Sequence, residues 1–353
     1  MTKLENNERG GPQRAAHAVH TAATGLSAAL GIALGTGLLA TGGWLLWSRF
    51  GIDHNVTLPK ALDADLVSFS SAAGEVSYYA DTRAKRERPL VLIHSVNAAA
   101  SAFEMKPLFE AYRGQRPIYA LELPGYGFSS RADRTYTPEL FANVILEFLT
   151  SQLGEAADVI ALSLSCEFAA RASLQNPEAF YSLTLVSPTG FTAKESRRAS
   201  TEAGERGGSD RFYNAARQPL WRRAFYDLLT SPASIRYFLQ KSFIGDVPPE
   251  LAEYGYLTSH QPGAAYVPLT FIAGKLFTPQ AKERIYAHVR VPTLVLYDED
   301  GFVTFDTLPQ LLGENQAWRG VKITPSKGLP QFEQLEQTTR ALDKFWRRKA
   351  SPA

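Results

Sequence analysis

Cysteine is nearly absent. Cys166 is the one thiol in 353 residues, which excludes an intramolecular disulfide framework and any cysteine-rich zinc site. Excess charge is missing as well: 37 basic against 35 acidic side chains leave a formal net charge of +2. No general affinity for polyanions follows from that balance, so no nucleic-acid partner is expected. No phosphate-binding loop, dinucleotide fingerprint or metal-ligand cluster is found, and the expectation is a protein without cofactor or metal. Histidine is scarce, six in all and none beyond His288. What is plentiful is apolar surface: at 45% apolar residues the chain can bury a large core, as one sizeable domain with an insertion or as two domains.

Charge is locally absent too. Residues 1–20 read as a polar disordered tail, but from Thr21 to Ser48 no charged residue occurs. Within that run Gly25 to Trp47 is rich in Leu, Ala, Ile and Gly and long enough to cross a bilayer, with Trp44 and Trp47 where an interfacial aromatic belt would sit. The reading is a single-pass anchor over 21–48. The apolar run is longer than a cleaved signal peptide needs and lacks a clear cleavage site, while a buried or interfacial helix is the other alternative. Lys3, Arg9 and Arg14 give the preceding side a slight basic excess over Glu5 and Glu8, which hints that the main domain is extracytoplasmic.

Further on the chain alternates. Leu66–Ser70 and Glu75–Tyr79 read as paired strands about an Ala-Ala-Gly turn, and buried strands follow at Pro89–His94, Pro117–Leu123, Ser182–Val186 and Val291–Tyr297. Helical patterns lie between them at Phe103–Tyr112 and Pro138–Leu153. Such alternation calls for a mostly parallel sheet flanked by helices, with ligands bound at the strand ends. At Asp158–Arg171 an apolar strand runs into Ala161-Leu162-Ser163-Leu164-Ser165 and then an alanine-rich helical pattern. Small residues on both sides of Ser163 are what a sharp strand-to-helix turn requires, so Ser163 is a candidate nucleophile; a buried serine in an ordinary turn is the plainer alternative.

Val91-Leu92-Ile93-His94-Ser95, then Glu122-Leu123-Pro124-Gly125-Tyr126-Gly127-Phe128-Ser129, then the turn at Ser163, together resemble the α/β-hydrolase superfamily in its branch of small esterases, epoxide hydrolases and dehalogenases. The resemblance runs from about Leu66 to Trp346 and departs from the pattern at Ser95, usually glycine, and Glu122, usually aspartate. It implies an α/β-hydrolase fold with core parts at 60–189 and 287–348 and a helical cap inserted at 190–286; the hydrophobic helix read from the uncharged run precedes it. It further implies Ser163 as nucleophile, backbone N–H groups of Val96 and Leu164 as the oxyanion hole, and Asp300 as the acid, with Asp298 as second choice. Asn97 is a possible supplement to the oxyanion hole, and His94 is read as scaffold. A serine nucleophile points to ester or related acyl chemistry on a small apolar substrate, for which cap aromatics such as Trp221, Tyr226 and Tyr254 offer surface.

The last piece does not match. Where the resemblance implies Gly-His-x-x-x-x-Glu, the chain reads Lys327-Gly328-Leu329-Pro330-Gln331-Phe332-Glu333. Neither Gly328 nor the amide of Gln331 accepts a proton near neutral pH. Three expectations stay open: His260 of the cap serves as base, Asp300 with a water supports slow hydrolysis, or the chain binds a lipid-like or small apolar ligand without cleaving it. The oligomeric state is not legible.

Overall fold

The computed structural model describes residues 41–84, 87–193 and 210–350. The chain divides into two compact units, Met1–Ile52 and Asp53–Ala353. Of the first, helical backbone is described over 41–50; the greater part of the expected anchor, and the tail before it, lie outside the described residues. Among the described residues no helix is long and apolar enough to cross a membrane.

The second unit is built on an eight-stranded sheet in the order β1-β2-β4-β3-β5-β6-β7-β8. The strands are β1 (Asp65–Ser71), β2 (Gly74–Asp81), β3 (Leu90–Ile93), β4 (Ile118–Leu121), β5 (Ala157–Leu162), β6 (Phe180–Val186), β7 (Thr293–Glu299) and β8 (Trp318–Lys327). β1 and β2 join antiparallel through the turn at residues 72–73, and β2 pairs antiparallel with β4. From β4 through β8 every pairing is parallel.

The central strands read as continuous apolar runs because both faces of the sheet are covered. Alternation then sorts them: Val91, Ile93, Val159 and Ala161 join one core, with Phe141 of helix α1 (Pro138–Glu147) and Phe168 of helix α2 (Ser165–Gln175). Leu90, Leu92, Ile160 and Leu162 join the other, with Met105, Phe109 and Leu342. The Phe141 and Phe168 rings stack with centroids 4.9 Å apart. Each such fully buried side chain contributes about 1.5–3 kcal/mol by area. Helix α1 begins with the Thr137 hydroxyl accepting from Leu140 N–H and Pro138 at its first turn, both favourable start signals.

Between β6 and β7 the described chain is helical: α3 (Asp210–Ala216), α4 (Arg222–Leu229), α5 (Pro232–Gln240), α6 (Pro249–Ser259), α7 (Tyr266–Ile272) and α8 (Ala281–Arg284). These helices fall within residues 190–286, of which 194–209 lie outside the described residues. Register fixes the working end of the sheet. Ile93 of β3 pairs with Ala161 of β5, so the loops beginning at His94 and Ser163 leave the sheet side by side. Val186 pairs with Leu296, and Glu299 with Lys327, which brings the chain after β7 beside the chain after β8.

Candidate active site

Ser163 follows the last residue of β5 and precedes α2 with φ +56°, the left-handed region that a non-glycine residue occupies at a cost of about 1–2 kcal/mol. The strain is held by neighbours. Ser163 N–H donates to Val186 O at 2.8 Å and Ser163 O accepts from Cys166 N–H at 3.1 Å. Ala161 and Ser165 are fully buried, as a tight strand-to-helix approach demands. The hydroxyl that stands in place of a glycine at 165 has its own use: Ser165 Oγ donates to His94 O at 2.6 Å, tying the helix start to the end of β3. Ser163 is half-buried, and its Oγ has no hydrogen-bond partner among the described residues. Cys166 is buried in the core, where desolvation raises its thiol pKa well above the usual value, so it packs and does not react.

Beside the elbow runs the loop His94–Ala99. The N–H groups of Val96 and Leu164 make no hydrogen bond among the described residues, which leaves both available to an oxyanion. Glu104 organises this loop from below: its carboxylate accepts from Ser95 N–H at 2.8 Å, Ser95 Oγ at 2.9 Å and Asn97 Nδ2 at 2.9 Å. The Asn97 amide is thereby committed to its own loop, since its Oδ1 also accepts from Ala99 N–H at 2.8 Å. Tyr126 and Tyr226 hold the loop from above by donating to Asn97 O at 2.9 Å and Ala98 O at 2.6 Å.

His94 is scaffold. Its Nδ1 lies 2.6 Å from Ser95 O and its Nε2 accepts from Leu123 N–H at 3.0 Å, an arrangement that suits the neutral ring protonated on Nδ1. Burial lowers its pKa to about 4. Glu122 Oε2 stands 3.5 Å from Nε2, but burial raises that carboxyl to about 7, so the contact is not a strong ion pair. Gly127 is required over this carboxyl, because a Cβ there would overlap it.

The acid side is built on β7 and β8. Asp300 Oδ1 accepts from Phe302 N–H at 2.7 Å and Val303 N–H at 3.2 Å. Burial raises its pKa, opposed by those two donors and by Lys327. A Cβ built on Gly328 would stand 3.0 Å from Asp300 Oδ2, so the carboxylate faces the position where the motif would place histidine. Asp298 is occupied elsewhere, its Oδ2 accepting from Ser326 N–H at 3.2 Å.

Among the described residues no imidazole fills the gap. The same Cβ on Gly328 would meet Ser242 Cβ at 3.2 Å, so the segment after α5 packs against the vacant position. Gln331 is buried, with Nε2 donating to Glu104 O at 3.0 Å. The structure does not bring His260 within hydrogen-bond distance of Ser163. It caps α6, buried, with Nδ1 2.8 Å from Tyr256 O and its ring 3.9 Å from the Tyr256 ring and 5.7 Å from that of His54. Desolvation lowers its pKa, as befits a packed ring. Among the described residues no group of three His, Cys, Asp or Glu is placed to hold a metal.

A sequence profile of the alpha/beta hydrolase family matches residues 90–341, and the chain belongs to that family. Its fold is similar to a bacterial membrane phospholipase A (TM-score 0.62, 17% identity, 94% of this chain and 100% of that one). It is similar as well to a serine hydrolase involved in carbazole degradation (TM-score 0.60, 16% identity, 80% and 99% of the two chains). A thermophilic esterase from Thermogutta terrifontis gives TM-score 0.60 at 17% identity over 81% of this chain and 99% of that one. A curated relative, the dihydrolipoyllysine-residue acetyltransferase component of the acetoin cleaving system of Cupriavidus necator, is 35% identical over 89 residues. That match spans 25% of this chain and 23% of the relative's length.

Proposed function

We propose that this member of the hydrolase family is a serine-type hydrolase of an ester or other small apolar acyl substrate, working slowly because its acid faces a glycine instead of a histidine. The observation that carries the reading is Ser163 in a strained left-handed turn, its Oγ without a partner, next to the uncommitted N–H groups of Val96 and Leu164. Strain of this kind persists where the surroundings over-determine it, and it suits a nucleophile held out from packing. Ser163 Oγ attacks the substrate carbonyl carbon and its proton passes to water. The two N–H groups stabilise the oxyanion, the alcohol leaves, and water then attacks the acyl-enzyme to release the acid. Loss of the triad histidine costs on the order of a millionfold in turnover, and oxyanion stabilisation with binding retains about 10³–10⁴ over water. Substrates with good leaving groups therefore suit this site best.

Turnover of p-nitrophenyl acetate by the purified full chain tests the reading: slow hydrolysis lost in Ser163→Ala supports it, and equal rates in both overturn it. The contact of Ser242 with Gly328 favours a second reading, a binding protein that retains a lipid-like or small apolar ligand uncleaved. Stoichiometric ligand retention without Ser163-dependent turnover distinguishes that case. We also propose that residues 21–48 anchor the chain in a membrane as a single pass, with the second unit extracytoplasmic. Recovery of the full chain in the soluble fraction without detergent would contradict the anchor.

A further inference from the structure

Residues 53–62, ahead of β1, form neither helix nor strand, so the backbone groups they bury need partners elsewhere. Near β1 the stretch is fixed to the sheet: Ala61 and Leu62 are buried, and Ala61 N–H donates to Tyr79 Oη at 2.8 Å. Its remaining bonds go to the helices between β6 and β7. Tyr254 Oη of α6 donates to Pro59 O at 2.9 Å, and Gln261 Nε2, just past α6, donates to Val56 O at 2.9 Å. Farther along, His54 Nε2 lies 2.8 Å from Asp227 Oδ1 of α4, both residues buried. A carboxylate only accepts, so the imidazole nitrogen donates. The His54 ring also stacks on that of His260, at the end of α6, with centroids 5.7 Å apart.

The same two helices bear on the loop that carries Val96. Tyr226, the neighbour of Asp227 in α4, donates through its buried hydroxyl to Ala98 O at 2.6 Å. Gly255, the neighbour of Tyr254 in α6, comes so near that a Cβ on it would stand 3.4 Å from Ala99 Cβ and 3.6 Å from Ala99 O. The Tyr254 ring stacks on that of Phe103, 5.0 Å away, just after the loop. In each helix, then, one residue meets the 53–62 stretch and the next meets the loop. A packed helix moves as a rigid element, so loosening the first contact shifts the second.

We propose that His54 and Asp227 are positioning residues for the N–H of Val96: by clipping α4 to residues 53–62 they hold Tyr226 against Ala98. The proposal rests on the hydrolase reading for the use made of that N–H, and on contacts alone for how it is held. An oxyanion exists in the transition state and not in the bound ester, so a displaced donor is felt in kcat rather than in KM.

The test measures hydrogen exchange of the full chain by mass spectrometry beside p-nitrophenyl acetate turnover. His54→Ala and Tyr226→Phe are each expected to raise exchange several-fold across 95–104, where the N–H groups of Ser95, Ala99, Ala102 and Glu104 are bonded. Residues 157–175, from β5 through α2, should stay as in the parent. Each variant should lower kcat about tenfold with KM unchanged, a loss within what displacement by about 1 Å can produce. His54→Gln, whose amide can donate to Asp227 as the imidazole does, is expected to restore both readings. Combining His54→Ala with Tyr226→Phe should cost no more than the larger single loss, because both act through one contact. Parent-like exchange at 95–104 in the single variants, a rise shared equally by 157–175, or losses that add in the combined variant would each overturn the proposal. Exchange is read without substrate, so a parent lacking Ser163-dependent turnover would overturn the hydrolase reading while exchange still decides this one.

Discussion

The Ser163 half and the Asp300 half of the candidate site differ in completeness. At the ends of β3 and β5 every neighbour of Ser163 is accounted for: Ser165 ties the helix start to His94, Glu104 holds Ser95 and Asn97, and two N–H groups stand free. At the ends of β7 and β8 the carboxylate is in place and held by two N–H groups, but it faces a glycine with the Ser242 segment packed upon it. The strain at Ser163 and the free N–H groups of Val96 and Leu164 are made by backbone, and survive any side-chain change that the fold tolerates. A general base is one side chain, and a single substitution removes it.

The largest effect is expected from repairing the weaker half. Gly328→His together with Ser242→Gly should raise p-nitrophenyl acetate turnover a hundredfold or more, on the order of what positioned base catalysis supplies. Gly328 has φ +83°, so the variant should also lose about 1–2 kcal/mol of stability in denaturant melts. Asp300→Asn in that background should remove the gain; a gain that survives it would show that Asp300 is not the partner. Next comes damage to the stronger half. Glu104→Gln presents an amide donor to at least one of three donors, at about 1–3 kcal/mol, and should cut turnover roughly tenfold while leaving fluorophosphonate labelling specific to Ser163.

A smaller effect lies beneath the oxyanion loop and depends on pH. The Glu122 carboxyl is raised to about 7 in the folded chain, so between 4.5 and 7 the unfolded chain gives up a proton that the folded one keeps, and stability falls as pH rises. His94 works oppositely: lowered to about 4, it lets the unfolded chain bind the extra proton between 4 and 6.5, and stability rises with pH there. The two slopes offset each other in the overlap. Glu122→Gln should expose the His94 slope, seen as a Tm that climbs from pH 4.5 to 6.5 more steeply than in the parent; an unchanged profile contradicts the burial of an ionisable pair. The smallest effect concerns the turn itself. Ser163→Gly relieves the left-handed strain and should add about 1 kcal/mol in chemical denaturation, whereas a loss would mean the turn is not strained.

Much of this was legible before any coordinates. Parallel strands covered on both faces read as apolar runs, so β3, β5 and β6 fall where the runs do, and small residues at 161 and 165 mark the tight turn. Gly328 likewise declares in sequence that the motif's imidazole is missing. Whether another histidine replaces it depended on three-dimensional placement, and His260 went instead into a stack with Tyr256 and His54. The roles of Glu104 and Glu122 were missed because a carboxylate does not reveal which distant donors it will meet. A signal existed for Glu104: an acid set between Phe103 and Met105, in a stretch whose neighbours are all core residues, has to find partners when buried.

The central proposal is that Ser163 is a usable nucleophile although Asp300 faces Gly328 instead of a histidine, and intact-mass analysis of the folded full chain after fluorophosphonate treatment tests it most directly. The account expects one slowly formed adduct mapping to Ser163, absent in Ser163→Ala and formed faster in Gly328→His with Ser242→Gly. An unlabelled Ser163 in all three proteins, or the same adduct in Ser163→Ala, would contradict it.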